Sequence, residues 1–213
     1  MILQDLYVLL RCLAFARRSR IDPVYVSAGI VCLAVGSLIA PVVASASPSF
    51  EKKLELQGFT FEVSATNDGS INKLTVLPSG LSEQQGALRV EIDGSVADAE
   101  IADLDSNGFP EVYIYVTSAG SGSYGSLVGY AVNKGKSVSD IYLPPVSGDL
   151  KHSKGYMGHD EFAVVEGTLV QRFPIYKNTD TNAQPTGKTR QLQYKLKPGE
   201  AGWVLRLDKA IEY

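Results

Sequence analysis

From residue 50 onward, apolar and polar positions alternate with a period of two, as in Leu88, Val90 and Ile92, in Leu192, Tyr194 and Leu196, and in Trp203, Leu205 and Leu207. Successive side chains of a β-strand point to opposite faces, so this alternation predicts half-buried strands. Turn-forming clusters interrupt the runs at Asn67-Asp68-Gly69, Pro78-Ser79-Gly80, Asp93-Gly94, Asn107-Gly108, Lys134-Gly135, Pro144-Pro145, Gly148-Asp149 and Pro198-Gly199. Gly tolerates positive φ there, Pro presets its own φ, and Asn or Asp side chains bond the nearby backbone. Many short strands punctuated in this way predict an all-β fold, an antiparallel sandwich or barrel of about eight short strands. No helix of ordinary length is expected in this region. Ser82 to Ala87 forms one turn at most, and the polar, aperiodic stretch from Asn178 to Lys188 is expected to be a long loop.

The N-terminal part has a different pattern. Residues 23 to 50 contain no charged side chain, and the apolar run from Val24 to Val43 is preceded by Arg11, Arg17, Arg18 and Arg20. That is the layout of a signal peptide, and Ala44-Ser45-Ala46 supplies small residues for cleavage after Ala46. The alternative is an uncleaved anchor, since about 20 apolar residues can span a bilayer. Leu6 to Ala16 is itself apolar and the region before the run is long, which suggests an over-extended start. The expected organisation is a leader over residues 1 to 46 and a single β domain over 47 to 213, exported to the periplasm. It would touch a membrane only through an uncleaved leader.

Both cysteines, Cys12 and Cys32, fall in the leader, so the exported part must fold without a disulfide framework. At 167 residues it is long enough, because a chain near 150 residues buries roughly 70% of its unfolded surface. The leader holds four Arg and two Asp, which leaves 16 basic and 21 acidic residues, a net charge of −5. Such a balance argues against nucleic-acid binding and suits steering towards a basic partner.

The residues richest in candidate chemistry are Ser118-Ala119-Gly120-Ser121-Gly122-Ser123-Tyr124-Gly125, directly after the strand-like run Glu111 to Val116. Small residues of this kind can project from a sheet as a narrow, hydrogen-bonding finger. Gly120, Gly122 and Gly125 spell G-x-G-x-x-G, but a dinucleotide site needs a helix next, and Leu127 to Val132 reads as a strand. Neither Ser121 nor Ser123 has Gly two residues away on both sides, as a nucleophile elbow requires.

Asp103, Asp105 and Asn107, followed by Gly108, echo the first half of a calcium loop. The position that should carry a bidentate Glu is Ile114, and Glu111 replaces it only in a shorter loop. The preferred reading is a turn in which these side chains bond backbone amides, with no metal and no cofactor. His159, beside Asp160 and Glu161, lacks a nucleophile or metal set for catalysis and reads as a turn histidine with a hydrogen-bonded ring. Most tyrosines are expected in strands with the hydroxyl at the rim, whereas Tyr124 has no bulky sequence neighbour to bury it.

The finger resembles the S-G-x-Y motif of the periplasmic inhibitors of invertebrate-type (I-type) lysozyme, matched by Ser121, Gly122 and Tyr124. Four further stretches resemble that family's blocks in the same order: Asp103 to Val112, Gly155 to Phe162, Arg172 to Tyr176 and Arg190 to Leu196. The resemblance covers roughly residues 50 to 207. Related inhibitors of C-type lysozyme have one more residue between Gly and Tyr, so the spacing here favours the I-type reading. The resemblance implies a non-enzymatic inhibitor that occludes the lysozyme cleft. Ser121 would donate to a catalytic carboxyl, Gly122 would allow close backbone approach and Tyr124 would fill a sugar subsite, with Ser118, Gly120 and Ser123 flanking them. It also allows a homodimer through an exposed edge strand. The rival classes are a calcium-braced envelope or adhesion module, an inhibitor of C-type lysozyme, and more remotely a periplasmic hydrolase using His159.

Overall fold

A computed structural model describes residues 50–213. The leader, its cleavage site after Ala46 and both cysteines lie outside the described residues. Twelve strands follow one another: β1 (Phe50–Leu56), β2 (Phe59–Ala65), β3 (Ile71–Ser79), β4 (Leu88–Asp93), β5 (Ser95–Ala102), β6 (Glu111–Thr117), β7 (Gly125–Asn133), β8 (Ser137–Tyr142), β9 (Glu161–Val165), β10 (Thr168–Pro174), β11 (Thr189–Pro198) and β12 (Trp203–Glu212). The all-β class is as expected, with more strands than about eight, because β1 to β4 form a sheet of their own. The only helical turn among the described residues is a 3₁₀ turn at Val146–Gly148, and Ser82 to Ala87 is not helical. Asn178 to Lys188 is a loop.

The four-stranded sheet is a meander in the order β1-β2-β3-β4, and the eight-stranded sheet runs β5-β6-β7-β8-β12-β11-β10-β9. All neighbours pair antiparallel except β8 and β12, which are parallel through Ile141–Trp203 and Tyr142–Val204. The larger sheet curls until its ends meet as a nearly closed barrel. Glu100 of β5 bridges the seam by accepting a 2.8 Å bond from the Val164 amide of β9, and Tyr115 of β6 stacks on Phe162 of β9 at 5.5 Å.

Strand β6 is buried on both faces. Val112, Ile114 and Val116 face a core shared with Phe61, Val63, Leu74, Val76 and Ile92 of the meander. Tyr113 and Tyr115 face the barrel interior with Leu169, Phe173, Leu192, Leu196 and Leu205. The β-branched and aromatic run of β6 suits a strand without a wet face. Several tyrosines therefore depart from the rim placement expected of them. Tyr113, Tyr115 and Tyr194 are buried inside the barrel, and their hydroxyls bond Glu111, Glu100 and Gln171.

The alternating strand directions bring the β6–β7, β8–β9 and β10–β11 connections to one end of the barrel. The β5–β6 turn with the acidic residues lies at the other end.

Candidate functional site

Strands β6 and β7 pair out to Thr117–Gly125, so Ser118 to Tyr124 is the loop of a hairpin whose first strand is the most buried of the described strands. The loop closes on itself. The Ser118 amide donates to the Tyr124 carbonyl at 2.9 Å, the Tyr124 amide to Ser118 Oγ at 2.9 Å, and the Ser123 amide to the Gly120 carbonyl at 2.9 Å. Ser118 is thus a brace of the loop, and Ser123 holds a left-handed turn at φ 44°. Ala119, Gly120 and Ser121 are exposed at the tip, and no described residue partners the Ser121 hydroxyl. Tyr124 is 47% exposed.

Two connections from the same end hold the loop from below. In the β8–β9 connection the His159 amide donates to the Gly122 carbonyl at 2.7 Å. In the β10–β11 connection Asn182 Nδ2 donates to the Ser121 carbonyl, and its Oδ1 lies 3.2 Å from His159 Nε2. Because Asn182 Oδ1 can only accept, that contact requires the proton on Nε2. The His159 ring also stacks on Tyr176, whose hydroxyl donates to the Asn182 carbonyl at 2.9 Å. His159, at φ 56°, is the turn histidine with a bonded ring that its neighbours suggest.

Two glycines permit this packing. A Cβ at Gly122 would lie 2.5 Å from Tyr124 Cε2, so its absence lets the tyrosine ring fold back over the loop. Gly158 has φ +87°, and a Cβ there would run into the Gly122 carbonyl. A ladder of edge-on rings then runs inward from Tyr124 to Tyr156 at 5.6 Å and from Tyr156 to Phe173 at 4.6 Å, which fixes the exposed ring against the barrel core.

Beneath the loop sits Asp160. Its Oδ2 accepts 2.7 Å bonds from the Gly125 amide and the Tyr156 hydroxyl, and its Oδ1 accepts one from Gln171 Nε2, also 2.7 Å. Gln171 Oε1 in turn accepts from Tyr194, so a polar chain leads from the barrel interior to the loop base. Burial pushes the Asp160 carboxyl up from its ordinary value, against the opposing pull of its three hydrogen bonds and of His159. A cleft of about 430 Å³ beside the loop is lined by Tyr124, Leu127, Pro145, Val146, Tyr156 and Gln171. Of its polar side chains, Tyr156 and Gln171 already bond Asp160 beneath the loop.

At the opposite end, Asp103 accepts from the amides of Asn107 and Gly108 and from Gln57, Asp105 accepts from Asn107, and Asn107 Oδ1 accepts from the Phe109 amide. These are the backbone-bonding turn roles expected of Asp103, Asp105 and Asn107. Glu111, expected as a ligand only in a shorter loop, places its carboxyl with those of Asp103 and Asp105 inside 4.8 Å. Glu111 is 1% exposed, and its Oε2 accepts from the Leu104 amide and the Tyr113 hydroxyl. Burial, reinforced by Asp105 and Asp103, pushes its carboxyl up to about 8. Burial raises Asp103 too, but its hydrogen bonds outweigh that and leave it low. All three carboxyls thus accept from backbone amides or neighbouring side chains of the turn.

No family model, curated protein or solved structure matches the chain. The structure gathers Ser118, Gly120, Ser121, Gly122, Ser123 and Tyr124 in one exposed loop. Asp103, Asp105 and Asn107 stand apart from it. Sequence reasoning missed the bracing set of Tyr156, Asp160, Gln171 and Asn182. The closely spaced Gly155 and Gly158 were the available signal, since both take positive φ in the segment that carries Tyr156 and Asp160.

Proposed function

We propose that this protein is an exported inhibitor of I-type lysozyme that inserts the Ser118–Tyr124 loop into the enzyme's cleft. The single observation that carries the reading is the loop itself, with an exposed serine and a half-exposed tyrosine at its surface and a stem braced by two further connections. Preorganisation of that kind lowers the ordering cost of binding. Lysozymes set two carboxyl groups roughly 5 to 9 Å apart across a sugar cleft. The Ser121 hydroxyl is a donor of the right kind for one of them, and the Tyr124 ring presents an amphipathic face of the sort that packs in a sugar subsite. Gly122 acts by letting that ring lie close to the loop backbone. The charge of −5 favours approach to a basic enzyme. Inhibition is by occlusion, and the inhibitor performs no chemistry.

The S-G-x-Y spacing favours I-type over C-type lysozyme as the target. Titrating residues 47 to 213 against both enzymes tests this directly. Stoichiometric loss of I-type activity with little effect on C-type is expected, and the absence of any effect on either would refute the reading.

A further inference from the structure

We propose that the ionised carboxylate of Asp160 is the positioning group that holds the Ser118–Tyr124 loop in its inserting shape, and that acid loosens it. This rests on the loop being the element that enters the cleft. Asp160 accepts three hydrogen bonds from three different elements: Gly125 of β7, Tyr156 of its own connection and Gln171 of β10. The titratable groups that face it are Tyr156 and His159 on its own segment and Tyr194 on β11, and Gly125 and Gln171 face it as neutral donors. Tyr156 can rotate its hydroxyl and Gln171 its amide. The Gly125 amide belongs to the backbone and cannot turn, so it depends on an acceptor at Oδ2. A proton on the carboxyl competes with these donors and converts a charge-assisted bond at the loop base into a weaker neutral one.

Burial raises the Asp160 carboxyl, so protonation of this group does not weaken the fold. Ionisation is costlier in the folded chain than in the unfolded one, and the associated penalty sets in as pH rises through the folded value. Loop geometry has the opposite requirement, because it needs the carboxylate. Acid should therefore reduce inhibition without a loss of stability traceable to Asp160.

Two substitutions separate the roles. Asp160→Ala removes the acceptor. Asp160→Asn keeps an oxygen at the Oδ2 position for Gly125 and Tyr156, while its amide group is met by a rotated Gln171 and a turned Tyr194 hydroxyl, and it does not titrate. The measurement is the dissociation constant of residues 47 to 213 for I-type lysozyme between pH 7 and pH 4, taken for each variant and divided by that of Asp160→Asn to cancel the enzyme's own titration. At pH 7 both Asp160→Ala and Asp160→Asn should bind about tenfold more weakly than wild type, the neutral amide standing in for the protonated carboxyl. On acidification the wild type should lose this roughly tenfold advantage and converge on Asp160→Asn. In the free protein the Gly125 amide resonance should follow a single protonation in the wild type and stay flat in Asp160→Asn. A flat wild-type ratio, a Gly125 resonance that ignores pH, or a folded Asp160→Ala that binds like wild type overturns the inference. If Asp160→Ala does not fold, the Asp160→Asn ratio and the Gly125 resonance decide alone. If wild type does not bind, or Tyr124→Ala binds unchanged, the loop reading is what fails, and the Gly125 titration still decides whether Asp160 holds the loop.

Discussion

At the scale of single residues, Ser121 and Tyr124 differ from their neighbours in having side chains free to meet a partner, whereas Ser118 and Gly122 are used in holding the loop together. Ser121→Ala should weaken inhibition of I-type lysozyme about tenfold or more, since a hydrogen bond to a carboxylate contributes roughly 1.5 to 3 kcal/mol. Tyr124→Ala removes an aromatic anchor and should cost at least as much. Exposed positions usually shift stability by less than about 0.5 kcal/mol, so melting should hardly change for Ser121→Ala. Equal inhibition by both folded variants would sink the loop assignment. Glu111 yields a second prediction. Its carboxyl is raised from 4.5 to about 8, so between those values the folded chain binds a proton that the unfolded chain has released. Stability from this group is therefore full at low pH and falls as pH rises. Glu111→Gln should melt above wild type at pH 9, and the gap should shrink towards pH 5. Millimolar calcium at pH 8 should leave the wild-type midpoint unchanged. A rise of several degrees would show that a cation, and not a proton, neutralises the cluster.

At the scale of elements, alternation was enough to reveal strands such as β11, where Leu192, Tyr194 and Leu196 all point inward. The turn clusters were likewise enough to separate the strands. The strand total and the parallel β8–β12 pair were not legible, because both depend on how a sheet curls and which ends meet, and no local pattern encodes that. The site was legible in halves. Its exposed tip stood out through small residues after a hydrophobic strand, but its support comes from Asp160 and Asn182, 35 and 61 residues from the positions they bond, and a single sequence does not record that contact. Barrel closure supplies a prediction at this scale. Glu100 is the acceptor that joins β5 to β9, so Glu100→Ala leaves the Val164 amide unpaired. Hydrogen exchange at Val164 should accelerate well above that of central β6 amides, and stability should drop by about 1 to 3 kcal/mol. Unchanged exchange at Val164 would mean that the sheet holds its seam without that carboxylate.

For the whole molecule, the telling arrangement is that one strand walls two cores. Val112, Ile114 and Val116 pack on the meander while Tyr113 and Tyr115 pack in the barrel, so neither core can be lost without exposing one face of β6. A chain built as two independent layers would unfold in two steps, each sensitive to its own substitutions. A shared wall couples them into one cooperative transition. Phe61→Ala, in the meander core, and Leu205→Ala, in the barrel, both remove fully buried side chains and should cost about 3 to 5 and 2 to 5 kcal/mol respectively. For a domain of this size each should lower the midpoint on the order of 10 °C. The decisive point is that both should move the same single calorimetric transition, with the near-ultraviolet signal of the barrel tyrosines lost at the same temperature in each variant. If Phe61→Ala instead splits off an early step that leaves the tyrosine signal intact, the meander folds and unfolds separately, and the rigidity that β6 lends to the hairpin loop comes from the barrel alone.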